Sequence, residues 1–243
     1  MSISEDEIQN LIELVRPYGI ALEEVEARKL LHHLFLLQEK NKQINLTRIV
    51  AVDEALSLHI LDSLLFLFCL KSKELSESDL YIDLGTGGGY PGIPLSIMLP
   101  CKALLVDSVA KKVRAVDEFI NSLGLSGRVS TSSLRAEELA KELPSSGCLI
   151  TARAVAGLST LIEYASPLLK QGGWFIASKG RIEDDELFHA SRAARLCGMR
   201  SVSRETFDLP FEQGHREIFV YEKIEEPKMI LPRKVGMAKH NPL

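Results

Sequence analysis

Residues 81–95 read Tyr-Ile-Asp-Leu-Gly-Thr-Gly-Gly-Gly-Tyr-Pro-Gly-Ile-Pro-Leu, and this stretch decides the fold. Tyr81, Ile82 and Leu84 predict a short apolar strand that runs straight into Gly85, Gly87, Gly88 and Gly89. Asp83 stands at the strand's end, so the spacing is Asp-x-Gly-x-Gly-x-Gly. Glycines there let the chain turn through positive φ and let a ligand approach main chain without a Cβ in the way. A helix after the loop would aim its first amides at the same place. The expected ligand is adenosine-like.

Gly87 to Gly92 also fits the Gly-x-Gly-x-x-Gly pattern of dinucleotide sites, a weak signal by itself. A pyrophosphate needs free amides on the first helical turn, and Pro91 and Pro94 remove two of them. S-adenosylmethionine has no phosphate and carries cationic groups, which an acid such as Asp83 suits better than a pyrophosphate. Leu104 to Ser108 predicts a second strand ending in Asp107, 22 residues after Gly85. At about that offset an acid reaches ribose hydroxyls in such units.

Outward from the loop, two patterns divide the chain. Residues 1–75 read as a helical N-terminal extension. Ser4 to Glu7 is a capping box, a second helix is expected over 22–43, and a third from Asp53 to Leu70. Residues 76–243 read as an S-adenosylmethionine-dependent methyltransferase domain with a basic C-terminal tail. Strands are expected at 80–84, 103–107, 128–132, 147–152 and 174–178, alternating with helices. The helix over 109–123 takes Ser108 as N-cap, and a helix over 158–170 stops at Gly172-Gly173. Two last strands, 199–206 and 215–223, are close enough to pair antiparallel. The fold class is therefore α/β: the Rossmann-like sheet of a class I methyltransferase, closed by an antiparallel β-hairpin. A dinucleotide fold ends in a parallel sixth strand instead.

Composition is that of a globular protein, with 46% hydrophobic and 26% charged residues among 243. No apolar run approaches the roughly 20 residues of a membrane span. The start, MSISEDEIQN, is acidic and lacks a basic-then-apolar leader, so a cytoplasmic location is expected. Cys69, Cys101, Cys148 and Cys197 are scattered, which argues against a metal site or disulfide framework. Pro100-Cys101 resembles the pair of thiolate-dependent pyrimidine methylases but enters a strand where those leave one. A net charge of −4 argues against indiscriminate nucleic-acid binding.

Along nearly its whole length the chain resembles the GidB (RsmG) family, glucose-inhibited division protein B. The resemblance rests on Asn45-Leu46-Thr47, His59 to Ser63, Asp83 to Leu95, Val106 to Val116, Arg135 to Glu138, Ala152 to Ala154, Ser178 to Gly180 and the tail from Pro232 to Leu243. Tyr90 and Ser178 stand where other residues are more usual in that family. The resemblance implies methylation of N7 of a guanine in the 530 loop of bacterial 16S rRNA, with S-adenosylmethionine as cofactor and the small ribosomal subunit as partner. It also implies that Gly85 and Tyr90 line the cofactor, that Ala136-Glu137 meet adenine, and that Arg153 completes the pocket. With Asp83, Gly87 and Asp107 these make the expected cofactor site. Guanine N7 has an in-plane lone pair and no proton, so direct in-line attack needs no general base and no catalytic residue is assigned. Lys111, Lys112, Lys179, Arg233, Lys234 and Lys239 are candidate RNA contacts, with a monomer expected. Three other functions fit the same fold: a small-molecule methyltransferase, an NAD-dependent oxidoreductase, and a non-catalytic ribosome-assembly factor.

Overall fold

The structure, a computed structural model, describes residues 3–243. Helix α1 (Glu5–Val15) opens at the expected capping box: the Glu7 N–H donates to Ser4 Oγ, and the Ser4 N–H donates to the Glu7 carboxylate at 2.8 Å. Helix α2 (Glu24–Asn41) buries Ala27, Leu30, His33, Leu34 and Leu37 along one side.

The expected third helix is broken. It comprises α3 (Val52–Ala55), a wide π-helical turn over Leu56–Leu61, α4 (Asp62–Leu64) and α5 (Phe66–Cys69). Residues 59–66 are all buried, polar His59, Asp62 and Ser63 included. Ser63 donates its hydroxyl to the His59 carbonyl at 2.6 Å, a side-chain bond that competes with the regular backbone ladder. Packing on all sides and this competition explain why a period-based reading missed the irregularity.

From there strand and helix alternate: β1 (Leu80–Leu84), α6 (Gly92–Met98), β2 (Lys102–Val106), α7 (Ala110–Ser122), β3 (Val129–Ser132), α8 (Ala136–Glu142), β4 (Gly147–Arg153), α9 (Leu158–Ala165), β5 (Leu169–Lys179) and α10 (Asp184–Leu196). The hairpin β6 (Met199–Asp208) and β7 (His215–Lys223) follows, and a short α11 (Met237–His240) closes the chain. The sheet order is β3-β2-β1-β4-β5-β7-β6. The first five strands run parallel, while β7 pairs antiparallel with both β5 and β6. The fold class expected from the sequence is the one observed.

Two local expectations are corrected. The N-cap of α7 is Val109, not Ser108, because Asp107 Oδ1 accepts the Val109 N–H at 2.9 Å from one residue further back. Helix α9 stops at Ala165, not at Gly172-Gly173. A 3₁₀ turn with Pro167, which has no N–H to continue an α ladder, follows it, and both glycines lie inside β5.

Strand alternation sorts the core into two layers. Tyr81 faces the layer made with α1, α2, α6 and α7, whereas Ile82 and Leu84 face α8, α9 and α10. The order reverses at β1, which is flanked by β2 on one side and β4 on the other. Ligands of open α/β sheets bind beyond the carboxyl ends of the strands at such a switch point. Among the described residues no helix is long and apolar enough to cross a membrane.

Candidate active site

A cleft of about 460 Å³ opens at that switch point. Its floor is the loop after β1. The Gly85 and Thr86 N–H groups both donate to the Val106 carbonyl, at 2.7 and 2.9 Å, which ties the loop to β2. Gly85 has φ 78°, and a Cβ there would collide with Val155 Cγ2 on the loop after β4. The other side of the loop is pressed by α2: a Cβ on Gly88 would meet Leu37 Cδ1 at 2.6 Å. Gly85 therefore lets the loop after β4 pack against this one, and Gly88 lets the N-terminal layer close on it from α2.

Asp107 ends β2 with its carboxylate at the cleft. It accepts the Gly87 N–H at 3.1 Å and the Val109 N–H, and Lys112 Nζ stands 3.9 Å away. Ala136 and Glu137 begin α8 and form one end of the cleft with Tyr164. Glu137 is 5% exposed and accepts the Gly236 N–H at 2.8 Å. At the end of β4, Arg153 pairs with the buried Asp62 at 3.0 Å, donates to the Leu58 carbonyl at 3.2 Å and stands over the Tyr90 ring. Asp62 Oδ2 takes Arg216 at 3.0 Å as well, so one carboxylate faces two guanidinium groups.

The N-terminal layer supplies the remaining wall. Tyr90 stacks on His33 and His59, with ring centroids 4.3 and 4.7 Å apart. One ring nitrogen of His33 bonds the Gly88 carbonyl at 3.0 Å, and one of His59 bonds Thr47 Oγ1 at 2.9 Å. Burial pushes His33 down to about 3 and His59 to about 4, so both rings are neutral near pH 7.

Gly85, Gly87, Tyr90, Asp107, Ala136, Glu137 and Arg153 all line this cleft. Asp83 does not. It is fully buried on the α6 side, accepts the Thr151 hydroxyl at 2.8 Å, and would sit 2.7 Å from a Cβ on Gly92. Strand alternation turns it into the interior, where burial pushes its carboxyl up to about 6. The six basic candidates divide three ways. Lys112 and Lys239 line the cleft, and Lys111 and Lys234 are exposed. Lys179 and Arg233 are already engaged, Lys179 with Glu186 and the Ala156 carbonyl, Arg233 with Glu163. Ion pairing across elements is invisible in a count of surface cations.

His33 and Val155 had no place in the sequence reading. His33 lies three residues from Leu30 and four from Leu37 on the buried side of α2, a signal for burial but not for a site. No sequence pattern puts Val155 against Gly85.

Comparison with known proteins decides the kinship. The family model described as rRNA small subunit methyltransferase G matches residues 26–216. The chain belongs to the GidB family. Among curated members it is 38% identical to ribosomal RNA small subunit methyltransferase G of Desulfitobacterium hafniense (strain Y51), over 85% of each chain. It is 36% identical to the protein of that name from Alkaliphilus metalliredigens (strain QYMF), over 93% of this chain and 94% of the other. Solved structures share the fold at low identity. The antibiotic-resistance methyltransferase Kmr superposes with a TM-score of 0.52 at 20% identity, covering 64% of this chain and 92% of its own. A geranyl diphosphate methyltransferase in complex with S-adenosylmethionine gives 0.53 at 12%, covering 68% of this chain and 86% of its own. The GidB motifs at Asn45-Leu46-Thr47 and His59 to Ser63 thus map to the cleft's N-terminal wall and to the acid that holds Arg153.

Proposed function

We propose that this chain transfers a methyl group from S-adenosylmethionine to N7 of a guanine in the 530 loop of bacterial 16S rRNA, by in-line attack without a general base. The observation that carries the reading is one cleft, at the switch point, lined by Gly85, Asp107, Ala136-Glu137 and Arg153 together. Family membership supplies the substrate class, since the curated relatives are named as small-subunit rRNA methyltransferases.

The residues present fit the cofactor. Gly85 carries no Cβ, so its main chain lies bare at the cleft beside Val155, and Asp107 offers a fixed carboxylate suited to ribose hydroxyls. Ala136-Glu137 would meet adenine, with Tyr90 and Arg153 toward the methionine. When bound, S-adenosylmethionine supplies an electrophilic methyl group on a sulfonium. The chain's own part is positioning, worth about 7–11 kcal/mol in favourable cases. His59 and Arg153 line the same cleft as Glu137. With N7 unprotonated at neutral pH, no group there has to remove a proton. Of the six basic candidates Lys111, Lys234 and Lys239 are the cations left to meet RNA phosphate, Lys112 being paired with Asp107, and the protein acts on the ribosomal small subunit as a monomer.

The test is label transfer from tritiated S-adenosylmethionine to small subunits from cells lacking the endogenous enzyme. Borohydride reduction and aniline cleavage then locate N7-methylguanine. A single cut in the 530 loop is expected. Cofactor binding without label in 16S rRNA would favour a small-molecule methyltransferase or an assembly factor.

A further inference from the structure

The C-terminal segment, residues 228–243, lies beyond the part of the chain that the family model covers. It is not a loose basic tail. The Lys228 N–H donates to the Leu196 carbonyl at 2.8 Å, fastening the segment to the end of α10. Leu231 packs on the core layer of α8, α9 and α10. Arg233 then forks onto Glu163 of α9 at 2.7 and 2.5 Å, and it also donates to the Asn241 carbonyl at 2.9 Å. Glu163 is buried, 3% exposed, and Arg233 half-buried, and the two-pronged bond makes the pair a fixed anchor. Thr160 of α9 donates its hydroxyl to the Ala238 carbonyl at 3.1 Å. Between these anchors the Gly236 N–H meets Glu137 Oε1 at 2.8 Å, and Lys239 reaches the cleft wall.

We infer that this arm completes the adenosine-binding end of the cleft, with Gly236 as the positioning residue for Glu137. The inference rests on the cofactor reading above. Glu137 is a nearly buried carboxylate on the first turn of α8, and a buried charge needs a donor. The Gly236 N–H is that donor, and it comes from a segment nearly a hundred residues later in the chain. Without it the carboxylate would turn toward water and carry the Ala136-Glu137 turn out of register with Asp107 across the cleft. The arm is held at three points on α9 and α10, so a ligand that orders the Glu137 turn also orders the arm.

The test pairs calorimetry with hydrogen exchange, using S-adenosylhomocysteine and free adenosine as probes. In the full chain, S-adenosylhomocysteine should slow exchange of the amides from 235 to 240, which a merely structural arm would not show. A chain ending at Lys234 keeps the Arg233–Glu163 anchor but loses Gly236 and Lys239. It should bind both probes about tenfold more weakly, a factor typical of coupling between contacting groups. On a Glu137→Ala background the same truncation should change affinity by less than about twofold, because the two act as a unit. Glu137→Gln keeps an acceptor for Gly236 and should restore part of the affinity. Arm exchange unchanged by bound S-adenosylhomocysteine overturns the inference and leaves the cofactor reading standing; so does undiminished binding by the truncated chain. No binding to the full chain overturns both. Should the truncated chain fail to melt cooperatively, the exchange result alone decides.

Discussion

His59 stacks on Tyr90 with ring centroids 4.7 Å apart and 17° between the planes, and His33 stacks on the same Tyr90 ring. Both imidazoles are held neutral by burial, at about 4 and about 3, where an unfolded histidine titrates near 6.5. As pH falls from about 6.5 toward 3 the unfolded chain therefore takes up protons that the native state refuses, and stability declines. Asp83 opposes them, since its raised carboxyl favours the native state as pH falls from about 6 to 3.8. From pH 7.5 to 4.5 the three together should remove about 3 kcal/mol. Urea midpoints across that range measure it, and His33→Leu should flatten the acid limb. A flat wild-type profile would contradict the buried neutral stack.

Asp83 allows a test of opposite sign. Its carboxyl is raised from 3.8 to about 6, so ionisation above pH 6 works against the folded state. Asp83→Asn keeps an oxygen for Thr151 and removes the buried charge. Relative to wild type, the variant should gain about 1–2 kcal/mol between pH 5 and pH 8. A difference independent of pH would mean that Asp83 is not the titrating group.

Gly85 at φ 78° lies beneath Val155, with room for no Cβ. Gly85→Ala should cost about 1–2 kcal/mol from the left-handed backbone alone, with the clash in addition. Adding Val155→Ala should recover the clash and not the backbone strain. Binding of S-adenosylhomocysteine should drop in the single variant and return in part in the double. Equal losses in both variants would show that the clash is not what matters.

Asp107→Asn keeps an acceptor for one of the two amides, of Gly87 or Val109, and loses both the other bond and the charge that Asp107 presents at the cleft. Affinity for S-adenosylhomocysteine should fall about 10–100-fold, the usual worth of a hydrogen bond to a charged group. The lost amide bond should lower stability by only about 1 kcal/mol, so the folded state persists. Binding that survives would put the ribose elsewhere.

Asp62 holds Arg153 and Arg216, each at 3.0 Å, and is 3% exposed. Asp62→Ala leaves two poorly solvated guanidinium groups without a counter-charge and should destabilise the fold by about 3–5 kcal/mol. Thermal melts read this directly. A loss below about 1 kcal/mol would mean the pair is solvated like a surface salt bridge.

Much of this was legible from residue order. The loop from Gly85 to Gly89 and the acid at Asp107 were readable because their spacing along one β-α-β unit is a local property. So was the capping box at Ser4-Glu7, which involves neighbours three residues apart. The break over Leu56–Leu61 was not legible, since it answers to a segment buried on all sides and to Ser63 competing for the His59 carbonyl. The end of α9 at Ala165 was not legible either: the glycines at 172–173 look like the stop, yet Pro167 ends the helix before them.

The sequence by itself determined the class of fold, the loop at the switch point and the family, because each is written in short-range spacing. Only the tertiary structure decided which charges are free. Asp83 points inward by the alternation of β1. Arg153, Lys179 and Arg233 are spoken for by acids 91, 7 and 70 residues away, at Asp62, Glu186 and Glu163. The tail becomes an arm because Gly236 finds Glu137. Buried charges must find partners wherever the fold brings them, and residue order alone carries no record of which distant segments the two core layers bring within hydrogen-bond reach.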